Sequence, residues 1–175
     1  DVISVEHARK AAAAGVDGLI LVCAGAGGHG GTLSPFALVA EVRQFWSGTL
    51  ILAGALSDGR SLRAAEVLGA DLGYMGTRFI ATREAVADPR HKSMIVADTA
   101  ADIVYTPVFS GIWANYLKNS ARAAGIDPDT LSGTQDGGKI DLFAATEDKP
   151  RAWKDVWSAG LGIGNHSDVP HVAGL

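Results

Sequence analysis

Two stretches of this chain, Ala12-Ala13-Ala14-Gly15-Val16-Asp17-Gly18 and Val67-Leu68-Gly69-Ala70-Asp71-Leu72-Gly73, repeat one helix-to-strand joint. In each, a helical run stops on a glycine suited to the left-handed position after the last turn, and a strand follows within a few residues. A joint used twice implies repeated βα units, whose short connections demand parallel strands and right-handed crossovers. The fold class is therefore α/β, either a (β/α) barrel or an open doubly wound sheet.

The elements between the joints read in the same way. Val5–Ala14 is alanine-rich and helical, and Gly18–Cys23 is a continuous apolar run of the kind that forms a parallel strand covered on both faces. The glycine-rich loop Gly25–Gly31 leaves that strand. Ser34-Pro35 then supplies an N-cap followed by proline at the first helical position, opening a helix over Phe36–Trp46. Leu50–Ala53 is a second strand, Ser61–Leu68 a helix closed by Gly69, and Leu72–Met75 a third strand. Beyond Asp88-Pro89 the pattern predicts a helix over His91–Asp98, a fourth strand at Ile103–Tyr105 and a helix over Trp113–Ala124 before Gly125. Residues 132–152, rich in Gly, Asp, Lys and Thr, read as a surface excursion, and Trp153–Ala159 as a short helix running into Gly160-Leu161-Gly162-Ile163-Gly164.

With 47% hydrophobic and 19% charged residues, the 175 residues suit one domain, less regular over about 125–175. The net charge of -4 offers no basic footprint for nucleic acid or an anionic membrane surface. No apolar run is long enough to cross a membrane, and no Cys/His spacing suits a metal. The single cysteine, Cys23, lies in an apolar run as a free thiol, which fits a reducing cytoplasmic compartment. The chain opens on Asp1 and breaks off in an apolar stretch, so the natural chain is expected to extend at both ends.

Two constellations carry candidate chemistry. Ala26-Gly27-Gly28-His29-Gly30-Gly31 follows the first strand, at the carboxyl edge where parallel folds bind ligands. Its glycines let backbone approach a planar ring or a phosphate, and His29 supplies a group that exchanges protons near neutral pH. The alternative is a flexible loop with an incidental histidine. The second constellation pairs Ala53-Gly54-Ala55-Leu56-Ser57-Asp58-Gly59 with Tyr74-Met75-Gly76-Thr77-Arg78-Phe79, one βα unit later. Backbone N–H groups of Gly54, Ala55, Gly76 and Thr77, with the Thr77 hydroxyl and a helix dipole, are placed to converge on one phosphate; the alternative is a pair of helix caps with no ligand. His7 and His91 read as surface residues on helices, Asp58 as a helix cap, and the four tryptophans as packing residues, with Trp113 or Tyr116 as possible pocket walls.

Taken together, these three segments resemble the nitronate monooxygenase family, formerly called 2-nitropropane dioxygenases. The resemblance covers about residues 1–124 and continues through Trp153–Gly164, where the family often has glutamine at the place of Leu161. It implies an FMN-binding TIM barrel. Ala26, Gly27 and Gly28 then belong to the flavin-facing loop, Gly54 and Ala55 to one phosphate turn, Gly76 and Thr77 to the other, and His29 becomes the proton-transfer residue. It further implies oxidation of an alkyl nitronate, or a nitroalkane first deprotonated, with dioxygen to a carbonyl compound and nitrite.

The nearest rival is the flavin-dependent enoyl-acyl-carrier-protein reductase group, which shares the fold and a similar glycine–glycine–histidine loop but draws electrons from a nicotinamide cofactor. A third reading, a non-catalytic flavin- or phosphate-binding fragment, follows from the strand count. The family's barrel has eight strands and only three or four later ones are visible, so the chain is expected to be a partial barrel, inactive alone or completed as a homodimer.

Overall fold

The computed structural model describes residues 1–131 and 150–175, and the repeated joint folds as its sequence requires. Helix α1 (Val5–Ala13) starts at Ser4, whose hydroxyl accepts the His7 N–H at 3.2 Å, and ends just before Gly15. Strand β1 (Gly18–Val22) follows, then the glycine loop with its short strand β2 (Gly28–His29). Helix α2 (Pro35–Arg43) opens on the expected Ser34 cap and Pro35. It stops short of Trp46, because the Arg43 guanidinium turns back to the carbonyls of Gly48 (2.8 Å) and Gly69 (2.7 Å) and to Asp71 (2.7 Å), tying this helix end to the second joint.

Strand β3 (Thr49–Ala53) leads to helix α3 (Gly59–Leu68), where Asp58 forms a capping box with Ser61, as its sequence position suggests. Strand β4 (Leu72–Tyr74) and the single turn of α4 (Thr77–Ile80) complete the parallel part. The sheet order is β1-β3-β4, parallel throughout, with Leu19 beside Leu50, Leu21 beside Leu52 and Ile51 beside Leu72. Val2 adds an isolated parallel bridge to Leu21.

One face of this sheet carries the core. Leu19, Leu21, Cys23, Leu50 and Leu52 pack on Leu38, Val39, Val42 and Ala65, all essentially fully buried. Burial of such aliphatic side chains stabilises by about 1.5–3 kcal/mol each. Coverage of both faces, expected from the unbroken apolar run, is not what the described residues show. Ile20, Val22 and Ile51 on the other face are only half-buried, and Leu72 and Tyr74 of β4 are 57% and 59% exposed. A parallel sheet of three strands, packed by helices on one face and open on the other, is part of a (β/α) barrel.

The second part departs from the βα pattern. Helix α5 (Pro89–Ala97) is capped by Asp88, close to expectation. The expected fourth barrel strand instead becomes β5 (Ile103–Thr106), antiparallel to β6 (Ala114–Leu117), which also pairs antiparallel with β2. The predicted helix over Trp113–Ala124 is therefore half strand, and only α6 (Lys118–Ala123) is helical. Ala114, Asn115, Tyr116 and Leu117 are buried on both faces of β6, a demand that helical periodicity does not reveal. Trp153–Ala159 is not a helix either. It turns sharply at Trp153 (φ +65°), and the short helix lies later, at Leu161–Asn165. The excursion expected over residues 132–152 lies outside the described residues, apart from 150–152. No helix among the described residues is long and apolar enough to cross a membrane.

Candidate functional site

The glycine loop is held by the antiparallel part. Asn115, buried in β6, donates from Nδ2 to the Ala26 carbonyl at 2.7 Å, and the Tyr105 hydroxyl donates to the Gly30 carbonyl at 2.8 Å. A Cβ on Gly27 would stand 2.8 Å from the Gly160 nitrogen and 2.9 Å from the Ala159 carbonyl carbon, so only glycine lets these two segments meet. His29 emerges exposed from β2. Its Nε2 lies 3.0 Å from the Ser110 hydroxyl, and its ring meets Trp153 edge-on at 5.0 Å. Ser110 in turn receives the Tyr116 hydroxyl at 3.3 Å and donates to the Ile112 carbonyl at 3.0 Å.

The two later turns are built differently. Gly54 has φ +129°, and a Cβ there would lie 2.9 Å from the carbonyl oxygens of Cys23 and Ala24. Ala55 follows in the left-handed region at φ +54°, a conformation costing a non-glycine residue roughly 1–2 kcal/mol. Such strain persists where the surroundings impose it, and it clusters at functional sites. The Ala55 N–H donates to the Gly25 carbonyl at 3.2 Å and is therefore engaged, contrary to its expected role as a free donor. The N–H groups of Gly54, Gly76 and Thr77 make no hydrogen bond to another described residue. The Thr77 hydroxyl accepts the Gly160 N–H at 2.9 Å, which leaves its own proton free to donate.

Loop and turns open onto one cleft of about 200 Å³. Ala26, Gly27, His29, Gly54, Ala55, Gly76 and Thr77 all line it. Gly28 does not, being buried in its pairing with Asn115. The sequence reading missed the fourth wall, Ser158, Gly160, Gly162 and His166, which crosses from the C-terminal segment. The glycine run at 160–164 was the visible signal, but nothing local ties it to a loop more than a hundred residues earlier.

His166 is 4% exposed, and neither ring nitrogen has a hydrogen bond of good geometry to a described residue, the Ser57 backbone approaching the ring less favourably. Burial, then the positive field of Arg78, lower its pKa, against opposing effects of the Ser57 backbone and the Asp168 carboxylate. Arg78 is itself buried and paired with Asp168 at 2.8 Å. His91, expected on the surface, is buried at 9% exposure. It is bonded to the Ser158 carbonyl at 3.0 Å and stacked on Trp157, because α5 packs against the returning C-terminal segment. Trp113 stacks on Tyr105, and neither it nor Tyr116 lines the cleft. Burial pushes the Cys23 thiol up to about 11, so it stays protonated at neutral pH and is no nucleophile.

Known proteins share this fold. FabK from Thermotoga maritima superposes with a TM-score of 0.74 at 30% identity, over 98% of this chain and 55% of its own. A nitroalkane oxidase from Streptomyces ansochromogenes gives 0.71 at 26%, over 97% and 52%. Among curated relatives, the nitronate monooxygenase of Pseudomonas aeruginosa is 33% identical over 97% of this chain and 48% of its own length. That of Paraburkholderia phytofirmans is 31% identical over 71% and 37%. The chain thus spans about half or less of the length of the relatives it matches. The sequence profile described as nitronate monooxygenase covers residues 1–139, taking in the glycine–histidine loop and both later turns. With the profile running through most of the chain and the partial barrel placing those three segments around one cleft, the chain belongs to the nitronate monooxygenase family.

Proposed function

We propose that this chain forms the phosphate-holding and proton-transferring side of an FMN-dependent enzyme that oxidises alkyl nitronates, or nitroalkanes, with dioxygen to a carbonyl compound and nitrite. The observation that carries this is the convergence of His29 and the two strained or open turns on one cleft. The residues fit the cofactor. Gly54 admits no side chain, Gly54, Gly76 and Thr77 offer unengaged N–H groups, and Thr77 offers a hydroxyl proton, a donor set suited to a phosphate monoester. The cleft is smaller than the roughly 300–1,000 Å³ of a pocket that encloses a ligand. This chain therefore takes the phosphate and one edge of the nucleotide and leaves the rest to be covered from outside these residues.

FMN, when bound, supplies the two-electron redox chemistry. The protein's own part is to hold substrate and move a proton. His29 is the base for the α-carbon proton of a nitroalkane, and as imidazolium it donates to a nitronate oxygen. Ser110, bonded to Nε2, fixes the ring orientation so that Nδ1 is left for the substrate. The glycines around His29 let the substrate approach without a side-chain barrier, and the edge-on contact with Trp153 adds to the hold on the ring. The enzyme is cytoplasmic in this reading, and two copies complete one another if no longer chain does.

The test is FMN titration of the purified chain by flavin fluorescence, followed by anaerobic bleaching with propionate 3-nitronate or ethylnitronate. Binding with bleaching that falls about 10²-fold or more in His29→Ala, at unchanged FMN affinity, supports the reading through the donor role of His29 toward the nitronate oxygen, and nitroethane in place of ethylnitronate reads its role as base. Binding without bleaching leaves a cofactor-holding fragment, and no binding overturns the site. The likeness to FabK motivates a second reading, a flavin-dependent enoyl reductase; bleaching by NADH but not by nitronate would decide for it.

A further inference from the structure

One side chain of the cleft, His166, belongs neither to the glycine–histidine loop nor to the two phosphate turns. A native fold satisfies nearly all its buried polar atoms, yet neither ring nitrogen of this 96% buried residue has a well-formed hydrogen bond to a described residue, the Ser57 backbone meeting the ring only at poorer geometry. The ring lines the same cleft as Gly54, Gly76 and Thr77. Its segment is anchored there by Asn165, whose Nδ2 donates to the Ser57 hydroxyl at 2.8 Å, and by Gly162, which sits where a Cβ would strike the Ala55 carbonyl oxygen at 2.9 Å. The imidazole is thereby held against the turn that carries Gly54 and Ala55. An unsatisfied, ionisable ring beside unengaged N–H groups has one chemical complement, an anion that accepts hydrogen bonds.

We propose that His166 is a protonation-dependent contact for the phosphate end of the ligand, taking up a proton from solvent as the dianion enters and donating it as an N–H to a phosphate oxygen. This rests on the phosphate reading of the cleft given above. The charged groups acting on the ring are Arg78 from α4 and Asp168 from its own segment. Helix α5 and the turn Ala100–Asp102, which also pack against Leu161–Asn165, contribute none that act on it. Arg78 is neutralised by its Asp168 partner, so the free cleft holds no spare positive charge from this pair and the ring stays neutral. A phosphate dianion reverses that balance. Both the empty-site preference for the neutral ring and the bound-site preference for the charged one then make ligand affinity rise as pH falls.

The experiment compares FMN with riboflavin, which lacks the phosphate, binding to the whole chain and to His166→Gln between pH 8.5 and 6.5, where the phosphate itself is mostly dianionic. The FMN-to-riboflavin affinity ratio is expected to rise about tenfold across this range in the parent chain and to stay nearly flat in the variant. Calorimetry in two buffers of different ionisation enthalpy should show proton uptake on FMN binding that the variant lacks. An equal pH slope in His166→Gln, with FMN still preferred over riboflavin, overturns the proposal and leaves the phosphate site standing. Equal binding of FMN and riboflavin at every pH, or binding of neither, sinks the phosphate reading itself and this inference with it. Should the variant not fold, nitrogen NMR of His166 in the parent chain decides. A shift to imidazolium values on adding FMN or inorganic phosphate supports the proposal, and an unmoved neutral signal refutes it.

Discussion

The parallel part and the antiparallel part of this chain solve the same problem by opposite means. From α1 to α4 each strand is stabilised by helices next to it in sequence, and the core of Leu19, Leu21, Leu50 and Leu52 against Leu38, Val39 and Val42 is made of neighbouring elements. From α5 onward the buried side chains meet across long separations: Ile163 joins Ile95 and Ile103, and Val156 joins Tyr116. The first part presents its ligand groups on the loops of a sheet that is already stable. The second has little regular structure of its own and exists to hold those loops, through Asn115 to Ala26, Gly160 to Thr77 and Ser110 to His29. Scaffold and clamp are therefore separable, and substitutions in the two parts should fail differently.

The largest contrast is expected from Leu21→Ala. Removing a fully buried side chain from the parallel core should cost about 2–5 kcal/mol in urea unfolding and depress every downstream property together. If stability falls by less than about 1 kcal/mol, the parallel part is not the scaffold. Asn115→Ala should cost less, about 1–3 kcal/mol, since it strands the Ala26 carbonyl without its donor. Its signature is weaker FMN binding out of proportion to the lost stability, and a variant that loses stability while binding FMN as before would show that the clamp does not serve the loop.

Acid should separate the parts without any substitution. Burial lowers the pKa of His91, and burial followed by Arg78 lowers that of His166, both below the ordinary 6.5. As pH falls through 6.5 the unfolded chain takes up these protons before the folded one does, so their contribution to stability is present above that pH and lost below it. Hydrogen exchange, taken relative to the intrinsic rate at each pH, should rise from pH 7.5 to pH 5.5 in α5 and Leu161–Asn165 first, with β1 and β3 unmoved. A uniform rise would mean that the chain unfolds as a single unit. The smallest effect is assigned to Ser110→Ala. It removes the bond to His29 in an open setting, worth about 0.5–1.5 kcal/mol, and should slow nitronate-driven bleaching several-fold without altering FMN affinity. A loss as large as that of His29→Ala would make Ser110 part of the chemistry itself.

The same division separates what was legible in the residues from what was not. Ser34-Pro35, Asp58 with Ser61, and the glycines at 15 and 69 mark their elements because capping and left-handed turns are local, decided within a few residues. The parallel strands followed from apolar runs of the right length, and the ligand loops from their place at the strand ends. That much the sequence determined alone. It did not determine that Ala114–Leu117 is a strand, since a buried four-residue segment has no periodicity of its own and takes its form from β5 and β2. Nor did it reveal that His91 is buried, that the Ala55 N–H is already used, or that Ser158, Gly160, Gly162 and His166 wall the cleft. Each of those depends on which distant segment arrives beside it. Pairing over such separations is chosen by the burial and hydrogen bonds of the whole fold, which no short window of residues contains.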